Sequence, residues 1–498
     1  MKWLKLDKKY MVQFFILSLL SLLYIFPIIL VNADYKDDLG SSTTGFLGLK
    51  GDGRPLGEYL VSALCGGDPF TNVAPLPIIL SVLFLSYTLI LYTKTNLSFI
   101  SNNYILIPVL LLIITNPLAV ECLSYRSCSI VMIVALALPF LMFAIPDTVS
   151  NLYLFIYSSI LCMAIMSLYQ TPIGLCIILL VVNIFFAIVG EKNLNYLREG
   201  IRFAGIGISA IFYKIVVARH YVERNDWRYT ASQVVDLKLS SIKIIIQNTI
   251  DSCRYLATFL ATTPIWYQIA WVAAILSAIA VMLLLYCRDN NSKGWRKSAG
   301  IAFFILSPIL VFIATFLPLM ILKTLMMKIR LFLALGGFLF YMGIFLLYYY
   351  AKKQKGYVIT FLLICIFYSY TYIYGYANAI DTQQEYAKYL TYNIVHDIET
   401  INAENEFSTL SFIGQMPKTK RIQMMYDKYP IYNEIIPQYF TNDSWMGGAW
   451  VLQYMQGNLT IEADTETDNQ IVSSMEPIMK NSVYSCYVNG DKIIIYFY

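Results

Sequence analysis

Long apolar runs without a single charge constrain this chain more than any other feature. The stretch from 148 to 190 contains no charged residue. A membrane-crossing helix needs about 20 apolar residues, so this stretch is long enough for two, and Pro172 divides it because proline cannot donate to the helical ladder. The sequence therefore predicts a polytopic α-helical membrane protein. Comparable runs predict about eleven transmembrane helices, at 11–31, 75–93, 103–120, 129–146, 151–169, 172–190, 203–218, 264–286, 298–322, 331–350 and 357–376.

The composition argues against a soluble enzyme and against most cofactor chemistry. Charged residues make up 13% of the chain, whereas soluble domains carry about 25%. The chain has only two histidines, and its nine cysteines show no CxxC spacing. These residues therefore do not indicate a metal site or a Cys/His catalytic pair. No GxGxxG or Walker sequence is present, so no nucleotide or nucleic-acid partner is predicted. We expect no cofactor and predict no metal site; dependence on a divalent metal and a Cys122–Cys128 disulfide stay open.

Basic residues fall on alternate loops and predict the orientation. With a cytoplasmic N-terminus, the cytoplasmic segments hold the lysines and arginines, as the positive-inside rule requires. With eleven spans the C-terminal tail then emerges on the opposite side, and from 377 to 498 it carries 7 basic and 15 acidic residues. The sequence thus predicts a transmembrane domain over 1–376 and an extracytoplasmic domain over 377–498. The basic segments are 2–9, Lys94, 192–202, 288–297 and 352–355.

The tail has the pattern of a small α+β domain. Residues 385–401 have helical spacing, and 407–413 could form a strand. Asn489-Gly490 separates the apolar stretches 482–488 and 492–498, which is a strong signal for a type I′ hairpin. Trp445 and Trp450 flank a glycine turn, where they could stack on sugar rings or simply form part of the core.

The first external loop, about 32–74, contains the adjacent carboxylates Asp37 and Asp38. Repulsion between neighbouring carboxylates raises one pKa toward the range of a useful general base. The loop could equally be a solvated acidic surface. Lys323, Lys328 and Arg330 lie between two apolar spans on the side where positive charge is disfavoured. A substrate phosphate would satisfy them, and so would ordinary phospholipid headgroups.

Several motifs in order resemble the bacterial serotype-converting O-antigen glucosyltransferases, polytopic enzymes of the GT-C class. Most of these motifs lie in the first half of the chain, and the remainder is similar in architecture. The motifs are Asp37-Asp38, Gly53-Arg54-Pro55-Leu56, Pro75-Leu76-Pro77, Asn116-Pro117, Leu123-Ser124-Tyr125-Arg126 and Ser167-Leu168-Tyr169-Gln170.

The resemblance implies a GT-C-like fold in the bacterial inner membrane and a specific reaction. Glucose would pass from undecaprenyl-phosphate-glucose to the O-antigen repeat of lipopolysaccharide, with inversion, on the periplasmic side. Asp37 or Asp38 would be the base. The donor phosphate would be bound by Arg54, Arg126, Lys323, Lys328 and Arg330. Further substrate-binding candidates are Glu121, Tyr125, Tyr169, Gln170, Trp445 and Trp450.

Two other classes of function remain in view. One is an O-antigen polymerase or another polyprenyl-linked sugar transferase, which would use a related donor. The other is a flippase or transporter of lipid-linked sugars. Transporters commonly place ionisable residues near the membrane midplane. The apolar runs of this chain carry almost none, whereas acids and bases gather in the external loops, which favours chemistry at the membrane surface.

Overall fold

The computed structural model describes residues 2–100, 103–222, 227–236, 238–289, 295–353, 357–401, 407–455 and 459–498. Lys293 and Lys355, which belong to the basic segments predicted to be cytoplasmic, lie outside these ranges. Most of the described chain is helical, and seven helices are long and apolar enough to cross a membrane. The chain therefore has the architecture of a polytopic membrane protein, while the count of eleven spans stays a prediction. The seven helices are Lys8–Val31, Leu76–Asn96, Asn151–Leu168, Thr171–Ile188, Tyr196–Tyr221, Ile265–Leu284 and Ile329–Ala351.

The helices before the C-terminal sheet follow the apolar runs closely. In chain order they are α1 (Lys8–Val31), α2 (Asp37–Thr44), α3 (Pro55–Leu64), α4 (Leu76–Asn96), α5 (Ile107–Leu111), α6 (Val120–Ser124), α7 (Ser129–Phe143), α8 (Asn151–Leu168), α9 (Leu175–Ile188), α10 (Tyr196–Phe212), α11 (Arg219–Tyr221), α12 (Trp227–Ser232), α13 (Ser241–Ala261), α14 (Ile265–Asp289), α15 (Trp295–Ala314), α16 (Leu317–Met320), α17 (Leu335–Lys353) and α18 (Tyr357–Ile401). The predicted break near Pro172 is present, as a 3-10 turn over Thr171–Gly174 between α8 and α9.

The predicted span over 103–120 is wrong as a continuous helix, and the predicted span over 298–322 is interrupted after Ala314. Between 103 and 120 the chain forms the 3-10 turn Asn103–Leu106, the short helix α5 and a second 3-10 turn, Pro117–Ala119. Asn116 is extended, at φ −117° and ψ 141°, because a residue before proline is disfavoured in the α region. The buried, broken segment leads directly into α6, and so it delivers Glu121 and Tyr125 to the site described below.

A five-stranded mixed sheet follows α18, in the order β2-β1-β5-β4-β3. The predicted Asn489-Gly490 hairpin is present, because β4 and β5 pair antiparallel with Asn489 opposite Lys492. The domain boundary at 376/377 stays a prediction, and α18 continues through it. The strands are β1 (Thr409–Ile413), β2 (Thr460–Ile461), β3 (Met479–Lys480), β4 (Tyr484–Asn489) and β5 (Lys492–Phe497), and the helices among them are α19 (Lys420–Lys428), α20 (Tyr432–Ile435), α21 (Trp445–Leu452) and α22 (Thr465–Ser474).

Contacts between loops define two opposite ends of the helical body. At one end, Lys94 donates to the carbonyl of Lys5 at 2.6 Å, and Lys192 donates to Asn96 Oδ1 at 2.5 Å. At the other end the sheet region packs on the body through tyrosine hydroxyls. Tyr35 donates to the carbonyl of Ile435 at 2.7 Å. This bond connects the loop after α1 to α20, close to the cavity described below.

Candidate functional site

A cavity of about 1070 Å³ lies between the loop after α1, residues 32–74, and the C-terminal sheet region. Its lining comes from α2, from the turn after α6, from the segment before α17, and from α20 and α21. Segments far apart in sequence therefore supply carboxylates, cations, amides and an indole to one volume. The charged side chains that line it include Lys36, Asp37, Asp38, Arg228, Lys328 and Arg330.

Asp38 is a structural carboxylate at one edge of this cavity. Its side chain is 3% exposed. Its Oδ2 atom accepts hydrogen bonds from the backbone amides of Tyr35, at 3.1 Å, and Arg126, at 2.9 Å. Burial raises the pKa of Asp38 to about 7, although both hydrogen bonds oppose that rise. Asp38 thereby ties the loop after α1 to the turn that follows α6.

Asp37 differs from its neighbour in exposure and in hydrogen bonding. It is the first residue of α2, it is exposed, and it lines the cavity. Its carboxylate makes no hydrogen bond or ion pair with the part of the chain that the structure describes. Loss of solvent raises the pKa of Asp37, while Arg330 and Lys36 lower it. Of the two adjacent aspartates, Asp37 is therefore the one whose carboxylate is available to a ligand.

Glu121 supports the cations rather than contacting the cavity. Its side chain is only 2% exposed. One carboxylate oxygen accepts from Lys36 Nζ at 2.7 Å, and the other accepts from the backbone amide of Arg330 at 2.9 Å. A single buried carboxylate thus positions two cationic residues that come from loops about 290 residues apart in sequence.

Arg330 and Lys328 are the two predicted phosphate ligands that line the cavity. The Arg330 guanidinium donates to the hydroxyl of Tyr125 and lies 5.6 Å from the centre of its ring. Tyr125 in turn packs edge-on against Tyr35, with ring centres 4.8 Å apart. A guanidinium held in this way presents its remaining donors in a fixed geometry, which suits phosphate oxygens.

The other three predicted phosphate ligands lie outside the cavity lining. Arg126 forms an ion pair with Asp34. Arg54 lies 3.6 Å from Asp52 and 4.9 Å from the ring centre of Tyr169. Lys323 lies 3.5 Å from Asp236. These side chains have carboxylate partners within the protein and do not line the cavity.

Tyr169 and Gln170 lie beneath the site as supports. Tyr169 donates to the carbonyl of Arg330 at 3.2 Å. Gln170 donates to Tyr213 at 2.8 Å, and Tyr213 donates to the carbonyl of Gly53 at 2.7 Å. Neither side chain lines the cavity, so each fixes a backbone segment that carries a charged residue.

Trp445 and Trp450 differ in how far they are buried. Trp450 is 3% exposed, and its ring centre lies 5.2 Å from that of Tyr439, so it belongs to the core. Trp445 is 41% exposed and lines the cavity. Their spacing in the sequence could not distinguish them, because burial depends on how α21 packs against β1 and α18.

Two cations of the cavity were absent from the sequence predictions. Lys36 directly precedes the aspartate pair, so its position was a usable signal. Arg228 belongs to α12, and its Nε lies 2.8 Å from Asp52 Oδ1; no local sequence pattern marks Arg228 as a site residue.

Cys122 and Cys128 are both free thiols. Within the described residues, no group of three or more His, Cys, Asp or Glu side chains could hold a metal ion.

Seven helices of the described chain are long and apolar enough to cross a membrane, and the family comparison adds that this polytopic protein is a glycosyltransferase. The family model for glucosyl transferase GtrII matches residues 26–341, and the chain belongs to this family. An uncharacterized 55.3 kDa protein in the gtrB 5′ region of Salmonella phage P22 is 27% identical over 490 residues, covering 96% of each chain. No solved structure matches. The family match includes Asp37, Glu121 and Arg330.

Proposed function

We propose that this protein transfers a glucosyl residue from undecaprenyl-phosphate-glucose to the O-antigen repeat of lipopolysaccharide. The observation that supports this best is the meeting of Asp37, Lys328 and Arg330 in one cavity. A lipid-phosphate sugar donor needs cations for its phosphate, and its acceptor hydroxyl needs a base. Membership of a glucosyltransferase family supports the identity of the transferred sugar.

In the proposed reaction Asp37 takes the proton from an acceptor hydroxyl. The freed oxygen forms a bond to the anomeric carbon of the donor, on the face opposite the phosphate, and inverts that centre. The bond from the anomeric carbon to the phosphate oxygen breaks, and undecaprenyl phosphate leaves. Lys36, Lys328 and Arg330 stabilise the negative charge that develops on the leaving group. The step so drawn uses no cofactor.

We further propose that the cavity faces the periplasm from the bacterial inner membrane. Lys5, Lys94 and Lys192 lie at the opposite end of the helical body from the cavity, which supports a cytoplasmic N-terminus under the positive-inside rule. The C-terminal sheet region would then be periplasmic. The donor would enter from the surrounding membrane lipids, and the polysaccharide acceptor would enter from the aqueous side.

A reconstituted assay tests the proposal. Purified protein is supplied with undecaprenyl-phosphate-glucose, with undecaprenyl-pyrophosphate-linked repeats, or with neither, in the presence of unmodified lipopolysaccharide. We expect glucose on the polysaccharide only with the first donor, in wild type and not in Asp37→Asn. Elongated polysaccharide with the second donor would instead identify a polymerase. Donor movement across vesicles without transfer would identify a flippase. Addition of EDTA to the same assay measures metal dependence.

A further inference from the structure

The cavity has two chemically different walls. The wall toward the helical body carries Lys36, Arg228, Lys328 and Arg330. The opposite wall comes from the sheet region, and its lining residues in the described chain include no lysine or arginine. We call this the outer wall; its polar and aromatic members are Gln415, Asn433, Glu434, Gln438, Thr441, Asn442, Asp443 and Trp445.

We infer that the outer wall is the binding site for the acceptor saccharide, an inference that rests on the proposed glucosyl transfer. A phosphate would find its counter-charges on the other wall, where Lys328 and Arg330 lie. A neutral chain of sugars needs hydrogen-bond donors and acceptors together with an apolar ring face. The outer wall supplies all three, and so the two walls divide donor and acceptor between them.

Two amides on the outer wall have NH₂ groups that make no hydrogen bond with the residues that the structure describes. Asn442 Oδ1 accepts from the backbone amide of Gly414 at 2.6 Å. Asn433 Oδ1 accepts from Lys418 Nζ at 2.8 Å. Each oxygen is thus occupied by the protein, which fixes the orientation of the amide and leaves its NH₂ group for the oxygen of a sugar hydroxyl. The Asp443 carboxylate can accept from another hydroxyl.

Trp445 supplies the apolar face, and the fold holds its backbone in place. It is the first residue of α21 and follows Ser444, whose φ is +63°. Ser444 Oγ accepts from the backbone amide of Phe412 at 3.0 Å, which ties the start of α21 to β1. A partly exposed indole on a fixed backbone offers a flat amphipathic surface at low entropic cost.

The chain position of the outer wall fits a role in acceptor choice. The match to the glucosyltransferase family covers residues 26–341, which include Asp37 and Arg330. Every residue of the outer wall lies beyond that match. A change in the outer wall would therefore alter which saccharide binds and leave the groups proposed for proton transfer and phosphate binding in place.

Direct binding tests the inference separately from transfer. The probe is O-polysaccharide released from the lipopolysaccharide of a strain that lacks this gene, and the full-length protein is used in detergent. Trp445→Ala removes the indole. Asn442→Asp keeps the oxygen that Gly414 needs and removes the NH₂ group. Tyr389→Ala is the matched control, because Tyr389 is exposed on α18 and does not line the cavity.

We expect both outer-wall variants to bind the polysaccharide about tenfold more weakly and to raise the acceptor KM in parallel, with the donor KM unchanged. The control should bind like wild type. Binding that is unchanged in Trp445→Ala and Asn442→Asp would overturn the inference, as would a wild-type protein that binds no polysaccharide. A wild type that binds the polysaccharide but transfers no glucose would instead defeat the proposed function and leave the outer wall as a saccharide site.

Discussion

The backbone amide of Arg126 donates a hydrogen bond to the Asp38 side chain, at 2.9 Å from Oδ2. This bond commits Asp38 to holding two loops together. Asp37, one residue earlier, is exposed in the cavity. We therefore propose that Asp37 is the base and that Asp38 is a positioning residue, and the following predictions separate the two roles.

Asp37→Asn should abolish most of the activity, because the amide cannot take a proton from the acceptor hydroxyl. General-base catalysis contributes about 10²–10⁴-fold, and we expect kcat to fall by that factor in the reconstituted assay. Asp38→Asn should keep most of the activity, because an amide oxygen can still accept from Tyr35 and Arg126. Comparable kcat values for the two variants would refute this division of roles.

Asp38→Ala should destabilise the protein without removing the base. Two buried backbone amides lose their acceptor, and an unsatisfied buried donor costs about 1–3 kcal/mol. We expect a lower melting temperature in detergent for Asp38→Ala than for Asp38→Asn. Equal melting temperatures would mean that water replaces the carboxylate at both amides.

The pH dependence of stability should differ between wild type and Asp38→Asn. The pKa of Asp38 is about 7 in the folded protein and 3.8 ordinarily. Between these values the folded state keeps a proton that the unfolded chain releases, so the free energy of unfolding falls as pH rises from 4 to 7. Asp38→Asn has no such titration. The melting temperature of Asp38→Asn relative to wild type should therefore increase over this range; a constant difference would contradict the assignment.

Glu121→Gln tests the support beneath the cations. The amide oxygen can still accept from the Arg330 backbone, but Lys36 loses its counter-charge. We expect the donor KM to rise about 3–10-fold, the equivalent of roughly 1 kcal/mol, with the acceptor KM unchanged. Lys36→Met should reproduce the effect. If the acceptor KM rises instead, Glu121 contacts the acceptor and does not act through Lys36.

Arg330→Lys tests phosphate binding in the cavity. Lysine keeps the charge but lacks the planar fork that donates to Tyr125 and leaves other donors for phosphate. We expect kcat/KM for the donor to fall about tenfold or more. Lys323→Ala removes a cation that pairs with Asp236 outside the cavity, and it should stay within about twofold of wild type. If kcat/KM for the donor falls further in Lys323→Ala than in Arg330→Lys, Lys323 binds the phosphate and Arg330 does not.

Sequence patterns predicted the structural features that depend on local residue chemistry. They failed for the features that depend on tertiary packing. The break at Pro172 and the Asn489-Gly490 hairpin follow from residue type and spacing. Hydropathy alone could not show that the buried run 103–120 is broken into short turns. Residue type could not separate Trp445 from Trp450, because only tertiary packing buries one of them.

Gly174→Ala tests the close approach of two spans that the sequence could not reveal. A Cβ at Gly174 would lie 1.8 Å from the carbonyl oxygen of Ala314, so the 3-10 turn after α8 would have to move away from α15. Overpacking of this kind costs about 1–3 kcal/mol or more, and we expect a clearly lower melting temperature. Gly200→Ala is the matched control, because nothing lies within 4 Å of its added Cβ, and alanine favours the helix by about 0.5–1 kcal/mol. If both variants melt like wild type, the packing of the Thr171–Gly174 turn against Ala314 is looser than the structure shows.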